Sequence, residues 1–153
     1  MGKPRPVKVS VFRQCRSGAL PSDAAVKKAV ARALARAKCG GRTVSVVFCG
    51  AKSIVALNRR FLNKNSITDV IAFAYGPVPH GADLPFGDIY VCVPQGEKQA
   101  VLYGNSPRRE LLTLCVHGAL HLSGMDDATP KQRRRMDAAA ERVLASAALQ
   151  RGR

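Results

Sequence analysis

Apolar and polar residues recur with regular periods along most of this chain, and these periods predict its helices and strands. The segment Val7–Phe12 largely alternates between apolar and polar residues, which is typical of a half-buried strand. Every fourth residue from Val26 to Leu34 is apolar, between a capping Ser22 and a helix-ending Gly40, and this spacing predicts a helix of about four turns. The other predicted strands are Thr43–Cys49, Asp69–Ala74 and Asp88–Val93, and the other predicted helices are Ala51–Leu62, Pro94–Tyr103, Pro107–Ser123 and one that begins at Pro130.

The order of these elements indicates the fold class. Gly and Pro residues between Gly76 and Pro85 separate the last two strands, and helices follow from there to the end of the chain. The order β-α-β-α-β-β-α-α-α predicts an α+β fold, with one mixed four-stranded sheet covered by about five helices. No internal repeat or long linker divides the sequence, so we expect residues 1–153 to form a single domain.

The net charge of the chain indicates a polyanionic partner. Lys and Arg number 25 against 10 Asp and Glu, which gives a formal net charge of +15 at pH 7. Solvated helix faces account for individual basic residues, but not for so one-sided a total. Nucleic acid is therefore expected before membrane. No apolar run is long enough to span a bilayer and the first residues lack the apolar core of a signal peptide, so we expect a cytoplasmic protein.

The cysteines indicate core packing and no disulfide framework. The chain has five, an odd number, and none forms a Cys-x-x-Cys pair. Cys49, Cys92 and Cys115 lie inside apolar runs, where we interpret them as small core residues.

One segment carries the residue types of a metal site. His117 and His121 are four residues apart on a predicted helix, so both imidazoles lie on one face and can reach the same ion. Gly124 is placed to end that helix in a left-handed turn, which would return Asp127, or else Asp126, to the same point. Three protein ligands with an open fourth position are typical of catalytic zinc, so we expect one Zn²⁺ ion held by His117, His121 and Asp127. An ordinary pair of half-buried histidines is the alternative.

This spacing is similar to the extended zinc motif of metzincin proteases, His-Glu-x-x-His-x-x-Gly-x-x-His. The glutamate that serves as general base in those enzymes is replaced here by Gly118, so the pattern argues against a peptidase. A non-haem iron site with two histidines and one carboxylate is a further alternative, ranked lower because the net charge favours a polyanionic substrate.

At residues 117–127 the sequence His-Gly-Ala-Leu-His-Leu-Ser-Gly-Met-Asp-Asp resembles the signature of the YbeY family of bacterial endoribonucleases, His-Gly-x-Leu-His-Leu-x-Gly-Tyr-Asp-His. Leu57-Asn58, Thr68–Phe73 and Gly87–Val91 resemble further segments of that family, and the match covers about residues 43–127. The resemblance implies a zinc-dependent endoribonuclease specific for single-stranded RNA, acting in the processing and quality control of 16S ribosomal RNA in the small subunit. It implies neither a DNA nor a membrane partner.

Two positions depart from the family pattern. The third histidine of the family falls on Asp127, which replaces a neutral ligand by a charged one, and an arginine common in the family falls on Leu62. Asp126 is then the nearest carboxylate not needed as a ligand, with a catalytic orienting role or a turn-capping role. Phosphate contacts are predicted for the basic residues of an acid-free segment, namely Lys52, Arg59, Arg60 and Lys64.

A non-catalytic ribosome assembly or RNA-binding factor, with a metal that only stabilises the fold, is the alternative function. Metal removal separates the two, because loss of a structural metal unfolds the protein while loss of a catalytic metal can leave the fold intact.

Overall fold

The computed structural model describes residues 5–76 and 85–151, and within these ranges the chain forms four strands and five helices. In chain order they are β1 (Lys8–Arg13), α1 (Asp23–Ala33), β2 (Thr43–Cys49), α2 (Ala51–Leu62), β3 (Val70–Ala74), β4 (Pro85–Cys92), α3 (Val93–Tyr103), α4 (Pro107–Leu122) and α5 (Pro130–Arg151). The predicted α+β class and the predicted element order are confirmed.

The strands form one mixed sheet in the order β1-β2-β4-β3. Strands β1, β2 and β4 are parallel, so helical crossovers join them, whereas β3 is antiparallel to β4, with Val70 opposite Val91. Strand β3 lies at an edge of this sheet. That position leaves a side of β3 open to residues from the helices.

The sheet buries both of its faces. Val44, Val46 and Phe48 of β2 are fully buried in the main core, which α1 and α4 complete from one side. On the other side Ile54 of α2 packs with Cys49 and with residues of β3 and β4. Helices α2 and α4 therefore approach β3 from opposite faces of the sheet.

Helix α4 lies unusually close to the sheet because of Gly118. A Cβ atom built there would stand 2.4 Å from Cγ2 of Ile89, a core residue of β4 with no exposure to solvent. At the position where a metzincin carries its glutamate, this chain therefore has no room for any side chain.

Two predicted element boundaries were wrong by more than one residue. The first helix ends at Ala33 after 11 residues, not about four turns long and ended by Gly40, since Leu34 and Cys39 are both buried and the chain between them closes in tight turns, with Ala37 N–H donating to Leu34 O at 3.0 Å. Strand β4 begins at Pro85, three residues earlier than predicted, because it extends its pairing with the start of β2. Most of the predicted loop before it, residues 77–84, lies outside the described residues.

The buried cysteines are protonated core residues. Cys49, Cys92 and Cys115 are buried as predicted, and all five cysteines are unbridged. Burial raises the pKa of the Cys49 thiol to about 12 and also raises the pKa of Cys92 and Cys115. These thiols are core side chains that stay protonated at neutral pH.

Among the helices of the described ranges, none combines the length and the apolarity that crossing a bilayer requires.

Candidate metal centre and adjoining cavity

The end of α4 turns back on itself in the way that the sequence predicted. Gly124 has a positive φ of 106°, and Met125 N–H donates to Leu120 O at 3.1 Å while Gly124 N–H donates to His121 O at 3.0 Å. These two bonds form a Schellman motif, which needs a residue free to adopt the left-handed region. The turn returns residues 125–127 to the flank of the helix.

This turn orients His121. The Nδ1 atom of His121 lies 3.1 Å from Met125 O, so in the neutral ring Nδ1 carries the proton and donates it to that carbonyl. The other nitrogen, Nε2, lies 3.5 Å from Oδ2 of Asp127. An imidazole lone pair and a carboxylate oxygen thus face each other across a short gap.

Such a pair of donors fits a metal ion. Two ligand atoms at about 2.0–2.2 Å from a tetrahedral ion stand about 3.3–3.6 Å apart, which includes the observed separation. A backbone carbonyl that accepts from the second ring nitrogen is also the usual support of a metal-binding histidine. His121 and Asp127 therefore satisfy the chemistry of the predicted centre.

His117 is placed differently. It lies one turn before His121 on α4, and its Nε2 atom is 3.6 Å from Oδ1 of Asp137 on α5. In the described part of the chain, no three His, Cys, Asp or Glu side chains stand together as a ready metal-binding group. The side chains as placed form two adjacent histidine–carboxylate pairs, and the three-ligand set of His117, His121 and Asp127 stays a prediction.

A cavity of about 460 Å³ opens beside His121 at the edge of β3. Its walls come from β3, from the turn after α4 and from the end of α2 with the segment that follows it. Asp126 is exposed and lines this cavity together with His121, and its catalytic role stays a prediction.

Asn58 builds the α2 side of the cavity. It is buried, with 3% of its surface exposed, and its Nδ2 atom donates to Ser66 O at 2.9 Å. The backbone reverses at Asn63, which ends α2 in the left-handed region with φ 54°. The combination folds residues 63–66 back over the helix and brings Lys64 into the cavity lining.

The four cations predicted to bind RNA differ in where they lie. Of the four, Lys64 alone lines the cavity. Arg59 donates from Nε to Asn65 Oδ1 at 2.6 Å, and Arg60 lies over the Phe61 ring, 5.3 Å from its centroid. Lys52 is exposed in the first turn of α2, at the far end of that helix from Asn58. Leu62, at the position of the family arginine, lines the cavity with an apolar side chain.

The other flank of the candidate centre is acidic. A second cavity, of about 570 Å³, contains His117 and Asp127 and is lined by several further carboxylates, namely Asp69, Glu110, Asp137 and Glu141. Among the described residues of this lining, Arg133 is the one cation, so carboxylates outnumber cations here, whereas the cavity beside His121 contains Lys64.

Sequence reasoning missed two residues of this site. Asn58 belongs to a motif segment, but its role as the anchor of the Lys64 loop depends on a bond to a residue outside the helix. Asp137 carries no motif signal at all, since its proximity to His117 arises only from the packing of α5 on α4.

Known proteins are similar to this chain in sequence and in fold. A family model described as endoribonuclease YbeY matches residues 17–148. The chain is similar to endoribonuclease YbeY of Elusimicrobium minutum, with 46% identity over 77% of this chain and 83% of the relative, and to that of Geobacillus kaustophilus, with 42% identity over 69% and 72%. The solution structure of TM1509 from Thermotoga maritima has the same fold, with a TM-score of 0.54 and 21% identity over 90% of each chain.

These similarities put the chain among the endoribonucleases, hydrolases that act on RNA. Within that class it belongs to the YbeY family, a family of metalloenzymes, as the segments around His117, Asn58 and Thr68 predicted.

Proposed function

We propose that this chain is a zinc-dependent endoribonuclease that cleaves single-stranded RNA, that residues 1–153 act as one domain, and that its substrate is 16S ribosomal RNA in the small subunit. The observation that supports it most directly is the His121–Asp127 pair, with Nδ1 of the histidine bonded to a backbone carbonyl and Nε2 facing the carboxylate at 3.5 Å. Such a pair stands beside a cavity that also contains a lysine.

The proposed ligands are His117, His121 and Asp127. His117 reaches the ion by turning its ring away from Asp137, and both histidine side chains are partly exposed, at 23% and 28%, so that neither is locked in the core. When bound, zinc supplies polarisation of a phosphate oxygen and activation of a water molecule.

The residues around the centre position the RNA. Lys64 attracts the scissile phosphate to the open flank of His121. In this role Lys64 replaces the family arginine, whose position is occupied here by Leu62. Asp126, on the same cavity wall, accepts a hydrogen bond from the attacking water and orients it. Arg59, Arg60 and Lys52 hold neighbouring phosphates at the surface of α2.

A ribosomal RNA substrate and a cytoplasmic location are proposed from membership of the family together with the net charge of +15. A single strand fits better than a duplex, because the cavity is a recess of about 460 Å³ at a sheet edge and a flexible single strand can bend into it.

The test combines metal analysis of the purified protein with cleavage of one RNA in single-stranded and duplex form, with and without a chelator. We expect about one zinc per chain, cleavage of the single strand only, and loss of cleavage on chelation while the circular dichroism spectrum is retained. Chelation that unfolds the protein, with no cleavage before it, would instead support an assembly factor with a structural metal.

A further inference from the structure

The turn that orients His121 separates the cavity beside His121, here called the Lys64 cavity, from another cavity on the far side of α4. This recess, distinct from the acidic cavity that contains His117, measures about 620 Å³ and lies between the end of α1 and the middle of α5. Met125 lines both recesses, so they adjoin at a single residue. The two recesses therefore meet at the turn that follows α4.

The lining of the recess is basic and apolar. It contains Arg32, Arg36 and Arg142 and no carboxylate, and its floor consists of small or aliphatic side chains such as Ala33, Leu120, Ala139 and Val143. In a chain with 10 acidic residues, three arginines around one recess without an acidic residue among its lining make it a strongly positive part of the surface.

Two of these arginines are available to a ligand. Arg32 donates to Ser146 Oγ, which ties α1 to α5 across the recess. Arg36 and Arg142 are exposed, and neither forms an ion pair or hydrogen bond with the described residues. Arg36 lies in the turns that follow α1 and Arg142 lies on α5, so the recess is lined by an exposed arginine from each of these two segments.

We infer that this recess, defined by Arg32, Arg36 and Arg142, is a strand subsite that binds phosphates of single-stranded RNA on one side of the cleaved bond. The inference rests on the proposed function for the identity of the ligand. The arginines neutralise the backbone of nucleotides that have crossed Met125, while the apolar floor accommodates unpaired bases or riboses. RNA that is too short to reach from the Lys64 cavity gains nothing from it.

The test compares RNA lengths in the metal-loaded protein. Binding of labelled single strands of about 4 and about 16 nucleotides, lengths at the two ends of a typical site size, is followed by stopped-flow anisotropy before cleavage proceeds. Arg36→Ala/Arg142→Ala should weaken the long strand about 5- to 30-fold and leave the short strand unchanged. The negative slope of log affinity against log salt for the long strand should become shallower by about 1.4, because two phosphate contacts are lost.

A matched control removes the same charge elsewhere. Lys27→Ala/Lys28→Ala takes two positive charges from α1 outside the recess, and should change neither strand by more than about twofold. Arg36→Lys/Arg142→Lys keeps the charge and should restore most of the salt slope.

An equal loss of long-strand affinity in Arg36→Ala/Arg142→Ala and in Lys27→Ala/Lys28→Ala would overturn the inference, since the loss would then reflect net charge alone. Unchanged long-strand binding in the alanine pair would also overturn it and would point to a protein partner for this face, with the proposed function intact. If the wild-type protein binds both strands but cleaves neither, the proposed function fails while a length-dependent loss in the alanine pair still supports the subsite.

Discussion

Replacement of Gly118 by alanine tests whether the close approach of α4 to the sheet sets the position of both histidines. The new Cβ atom would stand 2.4 Å from Ile89 Cγ2, whereas carbon atoms in contact are about 3.5–4.0 Å apart, so one side must move by about 1 Å. Ile89 is fully buried and its β-branched side chain has little rotamer freedom, so we expect the helix to move.

Two opposing terms decide the stability of this variant. Alanine in place of glycine in a helix gains about 1 kcal/mol of helix propensity, while overpacking a core costs about 1–3 kcal/mol. The expected result is a net loss of about 0–2 kcal/mol in the free energy of unfolding. RNA cleavage should suffer more, by about 100-fold, because a shift of about 1 Å misplaces both imidazoles against the substrate.

Urea unfolding and initial cleavage rates measure the two effects. Ile89→Ala removes the atom that clashes, so the double variant should be about 0.5–3 kcal/mol more stable than the sum of the single losses predicts. If Gly118→Ala alone stabilises the protein by about 1 kcal/mol and cleaves RNA normally, α4 has room at this position and the reasoning is refuted.

Three further predictions concern the metal, the phosphate and the thiols. Asp127→Ala should lower zinc affinity by more than about 100-fold in calorimetry, while the adjacent Asp126→Ala keeps it; the reverse result would make Asp126 the ligand. Lys64→Ala should lower the cleavage rate constant over KM about 10-fold or more, and Arg60→Ala should lower it less, because Arg60 holds a neighbouring phosphate outside the cavity; equal effects would contradict the assignment of the cavity. A thiol reagent at pH 8 should react rapidly with Cys15 alone, and with the four buried cysteines only after unfolding; fast reaction of Cys49 would contradict its raised pKa.

The fold could be predicted from the sequence because each element carries a local signal. Alternation marks β1 and a β-branched apolar run marks β2, while helix α4 begins with a serine N-cap and a proline and ends in a glycine turn, and the structure confirms these elements. The end of α1 could not be predicted, because the first glycine after the apolar spacing is Gly40, whereas the chain leaves the helix at its C-cap Leu34 and reaches Cys39 through tight turns.

The site could be predicted only where one segment contains it. His121, Gly124 and Asp127 belong to one helix end, and their spacing alone brings them together. The choice of Lys64 over Arg59 depends on the bond from Asn58 to Ser66 and on the left-handed Asn63, neither of which has a pattern in the sequence.

The two departures from the family pattern act on the same quantity, the positive charge available to a phosphate. Aspartate in place of a neutral histidine ligand removes one unit of charge from the proposed centre, and leucine in place of arginine removes another. Lys64 restores one unit inside the cavity.

The remaining attraction must come from cations further along the strand, and the nearest recess without an acidic residue in its lining contains Arg32, Arg36 and Arg142. An enzyme whose centre holds less charge depends more on such distant contacts, because coulombic attraction adds along the whole backbone of a polyanion while a single phosphate meets only the residues around it. Cleavage by this chain should therefore favour long single strands over short ones.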